Sequence, residues 1–346
     1  MPDRRPKAAP ARLLLPTLAF LLAVALPARA QVVVKMATLV PDGSKYHLVL
    51  KEMLEKWKTT TQGRVTARLY PGSVAGDDQD VVRKMRLGSL NAGLLTSSGV
   101  QAIDPSVMAL QVPMLYSSYE EIDHVLSVFG PKLEASMASK GFVVLAWADG
   151  GWVRFFTKTP VRTPDDLKPL KLFAWGNDTD ALEIWKGAGF NPVPLPSTEI
   201  STALQTGLVS ALPTTPQAAV LLQWYQHAKN MTDVKWGLLL GALLVNKSTW
   251  DKISPEDQKA VRAAAAEAGA RLRAESRASE DRDVAAMKER GLNVVVVDAK
   301  AQALWRAAAE AAYPKVRGKI VPEAAFDEAR KILADYRSKK AAAPKK

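Results

Sequence analysis

The chain has 346 residues, no cysteine and a formal net charge of +12. The missing thiols exclude disulfides, thiolate metal sites, cysteine nucleophiles and a lipid-modified N-terminal cysteine. The basic excess is dispersed and no nucleic-acid motif accompanies it, so it reads as a solvated surface and a basic tail, with some capacity to steer anionic solutes.

The first predicted element is a targeting segment. Arg4, Arg5, Lys7 and Arg12 precede an apolar stretch over 13–26 that is too short and too Pro-punctuated for a spanning helix. Ala28-Arg29-Ala30 supplies an A-x-A cleavage signal. A signal peptide over 1–30, a mature start at Gln31 and export by the general secretory route are the expectations.

Residues 32–37 read as a buried strand. Tyr46, Leu50, Met53, Leu54 and Trp57 recur at helical spacing within 44–61. Gly63 stops that helix, 64–70 alternates as a strand, Pro71-Gly72 turns the chain, and a helix over 78–87 leads to a strand over 90–96. This order implies a parallel α/β sheet with right-handed crossovers. A helix over 117–139 and a strand over 142–147 follow. Thr163-Pro164-Asp165-Asp166 combines a cap, a first-turn proline and an acid three residues after the cap. A strand over 170–174, a helix over 179–187, an edge strand over 192–195 and a helix from Ser197 or Thr198 to Gly207 give a second, smaller α/β unit. Residues 238–246 form a strand crossing back to the first. Ser254-Pro255-Glu256-Asp257 opens a long Ala- and Arg-rich helix stopped by Gly291, and a strand over 292–297 and two helices close the chain.

The predicted fold class is α/β with two domains. Domain I comprises 31–155 plus 240–298 and domain II comprises 156–239. Helices over 299–338 pack on the lobes, and 339–346 is a disordered basic tail.

Signatures of catalysis are missing: no phosphate loop, no dinucleotide fingerprint and no nucleophile elbow. His47, His124 and His227 have no second histidine at ligand spacing. Asp77, Asp78 and Asp80 cluster at a helix start, where acids offset the helix dipole, and read as a cap rather than a cation site. Aromatics are abundant between 147 and 236, where most of the nine tryptophans fall. Trp152 and Trp175 sit beside turns at strand ends, where ligands bind in open α/β sheets. Arg154, between apolar residues at the domain junction, must be paired: either with a structural acid or, through its planar fork, with a ligand carboxylate.

Tyr70-Pro-Gly-Ser-Val-Ala-Gly76, Met85-Arg-Leu-Gly-Ser-Leu90, Pro113-Met-Leu-Tyr116, Thr163-Pro-Asp-Asp-Leu-Lys-Pro-Leu-Lys-Leu172 and Leu204-Gln-Thr-Gly-Leu208 recur in this order and spacing. Together they resemble the periplasmic solute-binding proteins of TRAP transporters, the DctP-type family. The resemblance implies two α/β lobes around a cleft, joined by crossing segments and spanned by a long helix. It implies capture of an organic acid by hinge closure and delivery to a TRAP-type membrane permease, with no catalysis and no cofactor. Arg154 matches a basic residue of the family's binding region. Phe173 stands where most members carry a carboxylate-clamping arginine, and Thr215, in Thr214-Thr215-Pro216, where an asparagine is usual.

Phenylalanine offers an apolar face and no donor. Three solutes are compatible with that change: an apolar or aromatic one stacking on Phe173 and Trp175, a carboxylate held by Arg154 with Thr214 or Thr215, or a neutral lactone, amide or alcohol. A monocarboxylate with an apolar or aromatic part ranks first. The expected ligand wall is Trp152, Arg154, Phe173, Trp175, Thr214, Thr215 and Trp236, with no metal. The expected partners are a small-molecule solute and TRAP membrane subunits, with no nucleic acid and a monomeric default, dimer being the alternative. A periplasmic sensor subunit and an exported enzyme using the same cleft are the rival readings.

Overall fold

The computed structural model describes residues 31–176 and 178–342. The expected signal peptide and the last four residues of the basic tail lie outside the described residues.

In chain order the strands are β1 (Val32–Thr38), β2 (Val65–Tyr70), β3 (Ala92–Thr96), β4 (Phe142–Trp152), β5 (Arg154–Thr157), β6 (Lys171–Trp175), β7 (Asn191–Leu195), β8 (Ala211–Thr214), β9 (Asn230–Thr232), β10 (Leu238–Asn246) and β11 (Asn293–Val295). They form two sheets, ordered β2-β1-β3-β10-β4 and β11-β9-β5-β8-β6-β7. In the first, β1 pairs in parallel with β2 and β3, while β10 runs antiparallel between β3 and β4. In the second, β6 is parallel to β7 and β8, β5 is antiparallel to β8 and β9, and β11 is parallel to β9.

Local chemistry sets the helix starts. Ser44 accepts the His47 N–H ahead of the helix Lys45–Thr60. Asp77 and Asp80 form a reciprocal capping box for Asp78–Arg86. Asp166 accepts the Thr163 N–H at 2.8 Å, closing the first turn of Pro164–Leu167. Ser254 caps Pro255–Glu289 with proline at its first position. Each such cap satisfies N–H groups that have no partner inside the helix. At the other end of Ile200–Thr206, Gly207 takes φ 76°, a left-handed geometry that costs residues bearing a Cβ.

Both faces of the first sheet are covered, one by a core containing Leu50, Trp57 and Leu272, the other by one containing Leu95, Leu110 and Leu133. The second sheet is likewise buried between Phe156, Phe173 and Leu212 on one face and Phe155, Leu172 and Trp305 on the other. The helix Pro255–Glu289 is 35 residues long, about 50 Å at 1.5 Å per residue. Its Val261 and Leu272 are buried with the first lobe and its Met287 with the second. The C-terminal helices divide similarly: Trp305 and Ala309 join the second lobe's core, Phe326 and Leu333 the first's.

Three expectations need correction. The strand after the long helix belongs to the second sheet, not to domain I, because β11 pairs with β9; a helix that spans both lobes delivers the chain to the far one. The last helix, Glu323–Ala342, continues through Lys339 and Lys340, where a disordered tail was expected. Alanine and lysine are good helix formers, and lysines complement the dipole at a helix C-terminus. Finally, β4 does not stop at Trp147. Pairing with β10 carries it through Gly150 and Gly151 to Trp152, with register shifts along the way.

The two strand crossings between the lobes are tied to each other. The Val153 N–H donates to Gly237 O at 2.8 Å, and Val153 O accepts the Trp236 N–H at 3.0 Å.

Candidate binding cleft

A cavity of about 640 Å³ lies between the two sheets. Thr38 of β1 and Leu94, Leu95 and Thr96 of β3 face it from the first lobe; Phe173 and Trp175 of β6 and Thr214 of β8 face it from the second. Asp149 and Gly150 of β4 and Leu240 and Gly241 of β10 complete the hinge side. It thus sits beyond the carboxyl ends of β1, β3, β6 and β8, where ligands bind in open α/β sheets. Hydrogen bonds span the lobes at this cleft, among them Ser197 N–H to Asp77 Oδ2 at 3.1 Å and Gln101 Nε2 to Asp178 Oδ2 at 3.3 Å.

Phe173 and Trp175, two residues apart on one strand, lie on the same face of the sheet. Their rings meet edge to face at 5.4 Å. Phe173 is buried and Trp175 half-buried. Beside them, the Thr215 side chain accepts the Ala218 N–H and caps the helix Pro216–Leu221. Thr214 stands next to it on the wall. Four of the seven expected residues, Phe173, Trp175, Thr214 and Thr215, are therefore brought together.

Trp152, Arg154 and Trp236, also expected on the wall, lie behind it. Trp152 is fully buried in the first lobe's core, 5.5 Å from the Tyr119 ring. Trp236 stacks on Trp185 at 5.7 Å and meets Phe155 at 5.4 Å beside the hinge. Arg154 pairs opposite Thr214 in the β5–β8 ladder, so its side chain starts from the cleft face of the sheet. Its guanidinium is turned instead to the long helix, with Nη2 2.8 Å from Glu280 Oε1 and Nε 3.6 Å from Asp233 Oδ1. Of the two partners open to it from sequence, the guanidinium has taken the structural acid. Its Nη1 is buried without a hydrogen-bond partner.

The charge of the wall is its main electrostatic feature. Among the described residues lining the cleft there are two carboxylates, Asp149 and Asp178, and no lysine, arginine or histidine. Burial pushes the Asp149 carboxyl above its ordinary range, and Arg277, 2.8 Å away, opposes that shift. One oxygen of Asp149 remains buried and unpaired, as does the Ser98 hydroxyl. Buried polar atoms without partners are costly, and a donor on a bound solute would satisfy Asp149. The other wall polar groups are hydroxyls and amides, including Ser97, Gln101, Gln111 and Gln217. A wall of this kind can enclose an apolar body and hydrogen-bond a few polar atoms; it holds no positive charge to offset an anion.

Asp149, Ser98 and the glutamines were missed from sequence. Only Asp149 carried a signal: it precedes Gly150-Gly151 at the end of a strand, the position where α/β sheets present ligand contacts. Of the acids at 77–80, Asp77 and Asp80 form the capping box described above, while Asp78 is buried and accepts the Thr96 N–H at 2.7 Å. Among the described residues no group of three or more His, Asp or Glu side chains is arranged to hold a metal ion. No described helix is long and apolar enough to cross a membrane.

A sequence model of the bacterial extracellular solute-binding proteins of family 7, DctP, matches residues 36–319. The 2,3-diketo-L-gulonate-binding periplasmic protein of Escherichia coli is 30% identical over 261 residues, 74% of this chain and 78% of that protein. The C4-dicarboxylate-binding periplasmic protein of Rhodobacter capsulatus is 27% identical over 277 residues, 78% of this chain and 82% of that protein. A TRAP periplasmic solute-binding protein from Xanthobacter autotrophicus, solved with bound β-D-galacturonate, superposes with a TM-score of 0.80 at 24% identity, covering 87% of this chain and 99% of its own.

Proposed function

This chain belongs to the bacterial extracellular solute-binding proteins of family 7, and we propose that it captures a small, mainly apolar solute with an uncharged, donor-bearing head group and delivers it to TRAP membrane subunits. Capture takes place in the periplasm, by the mature chain from Gln31, as the lobes close about the hinge at Val153 and Trp236. The protein binds and releases its solute without chemistry and works as a monomer.

The observation that carries the head-group assignment is the sign of the wall. The family resemblance puts an arginine where this chain has Phe173, and the charged groups on the wall are Asp149 and Asp178. An anion enclosed there would find no cation on the wall to offset its charge, only the Asp178 carboxylate and an Asp149 already paired with Arg277. An amide N–H or hydroxyl would instead satisfy the unpaired oxygen of Asp149, while the solute body lies against Phe173, Trp175 and Leu95.

A monocarboxylate with an apolar or aromatic part is the second reading. It is favoured by the acids named for the relatives and by Arg154, whose Nη1 is unpaired and whose backbone position opposes Thr214. Binding would then require the guanidinium to leave Glu280.

A thermal-shift screen of the mature protein tests both. The panel contains amides, alcohols and lactones with alkyl or phenyl bodies, their matching monocarboxylates, sugar acids and dicarboxylates. A solute that binds only the folded protein raises its melting temperature. Stabilisation by neutral members is the expected result. Stabilisation by monocarboxylates alone, lost in Arg154→Ala, supports the second reading; stabilisation by sugar acids or dicarboxylates alone overturns both.

A further inference from the structure

A second cavity, of about 210 Å³, adjoins the cleft. Met108, Gln111, Val153 and Asp178 line both chambers, so the two share a wall. Apart from the indole N–H groups of Trp185 and Trp236, Gln111 and Asp178 are the polar side chains among the described residues lining the smaller one, and each is hydrogen-bonded within the protein. Gln111 Nε2 donates to Leu240 O at 3.2 Å, and Asp178 accepts the Ala181 N–H at 3.0 Å. Beyond that boundary the walls are Ile184, Trp185, Phe190, Trp236, Ala312 and Val316. The Trp185 ring packs at 4.9 Å against the Phe190 ring and at 5.7 Å against Trp236.

An interior with this lining is normally close-packed, because a void forfeits dispersion contacts on every wall. An apolar cavity also stays dry, and about 150 Å³ suffices to bind benzene. The chamber is larger than that and shares a wall with the solute site.

We infer that this chamber receives the apolar tail of the solute whose head group lies in the cleft. The inference rests on the reading of the cleft as a solute site. It assigns the solute class more narrowly: an elongated amphiphile, with a polar end facing Asp149 and a phenyl ring or short alkyl chain passing Val153 into the aromatic chamber. Trp185, Trp236 and Ala312 then select for tail length, and the head-group residues do not.

The test is a chain-length series. Affinities of linear primary amides from butanamide to octanamide are measured calorimetrically for the wild-type protein and for Ala312→Phe, which fills the chamber. Each methylene newly buried is expected to raise affinity about fourfold. In the wild type the climb continues to the longest member; in Ala312→Phe it stops early, while butanamide binds both alike. A parallel climb in the two proteins overturns the inference. Benzene separates failure of the tail chamber from failure of the head-group assignment. If no amide binds but benzene raises the melting temperature of the wild type and not of Ala312→Phe, the chamber stands and the amide head group is wrong. If benzene acts equally on both, or on neither, the chamber is not a binding site.

Discussion

Arg154 Nη2 lies 2.8 Å from Glu280 Oε1, with the two side chains only 8% and 11% exposed. Tyr119 donates its hydroxyl to the other Glu280 oxygen at 2.9 Å. The strand that enters the second lobe is thereby tied to the helix that spans both. Removing one member of a buried pair leaves the other uncompensated, a loss of about 3–5 kcal/mol. Arg154→Ala is expected to lower stability in urea unfolding by about that amount, and pairing Arg154→Met with Glu280→Gln should recover most of it. Equal losses in the single and double variants would show that the cost does not come from the charge left unpaired.

The hydrogen bond from Gln101 to Asp178 joins the lobes beside the cleft. A single intramolecular hydrogen bond contributes on the order of 1 kcal/mol. Gln101→Ala should therefore reduce solute affinity about twofold to tenfold by lowering the closed fraction. Small-angle scattering of the unliganded variant should show a larger radius of gyration. Weaker binding with unchanged scattering would make Gln101 a direct solute contact instead.

Gly269 lies where the long helix crosses β4. A Cβ there would meet Ala146 Cβ at 2.7 Å and Trp147 O at 3.0 Å. Helix propensity favours alanine over glycine by about 1 kcal/mol, but overpacking against backbone costs about 1–3 kcal/mol. The contact should prevail, so Gly269→Ala is expected to lower the urea midpoint. A stabilised variant would mean that the helix and strand separate at little cost.

Asp78 is buried beneath the cleft, accepting the Thr96 N–H at 2.7 Å and its hydroxyl at 2.6 Å. Burial pushes its carboxyl from 3.8 up to about 7. The native state thus holds a proton that the unfolded chain releases near pH 4. Stability from this group is present below pH 4 and is lost as pH rises to about 7, with a slope of up to about 1.4 kcal/mol per pH unit. The stability of Asp78→Asn relative to wild type should rise across that window. A difference independent of pH would place the carboxyl at an ordinary value.

Caps and strand-end aromatics were legible in the sequence because their causes are local. Thr163 and Asp166 are three residues apart, and Phe173 and Trp175 share a face through the two-residue strand period. The short strands β5, β8 and β9 were not legible, since three or four residues carry little periodicity and depend on partners far along the chain. The family match located Phe173 but left Arg154 with two possible partners. Glu280, which holds it, is 126 residues away, and nothing near Arg154 points there. Trp152 illustrates the same limit: a turn beside a strand end suggests a ligand wall, but extension of β4 along β10 carries that indole into the core.

The most direct measurement is the calorimetric affinity of the mature protein for one matched pair, 4-phenylbutanamide and 4-phenylbutanoate, at pH 7.5. The two share a body and differ in head-group charge. With no lysine, arginine or histidine among the described residues lining the cleft, and Asp149 on the wall, the amide should bind at least tenfold more tightly. Tighter binding of the carboxylate, abolished in Arg154→Ala, would contradict this and give the solute's charged end to Arg154.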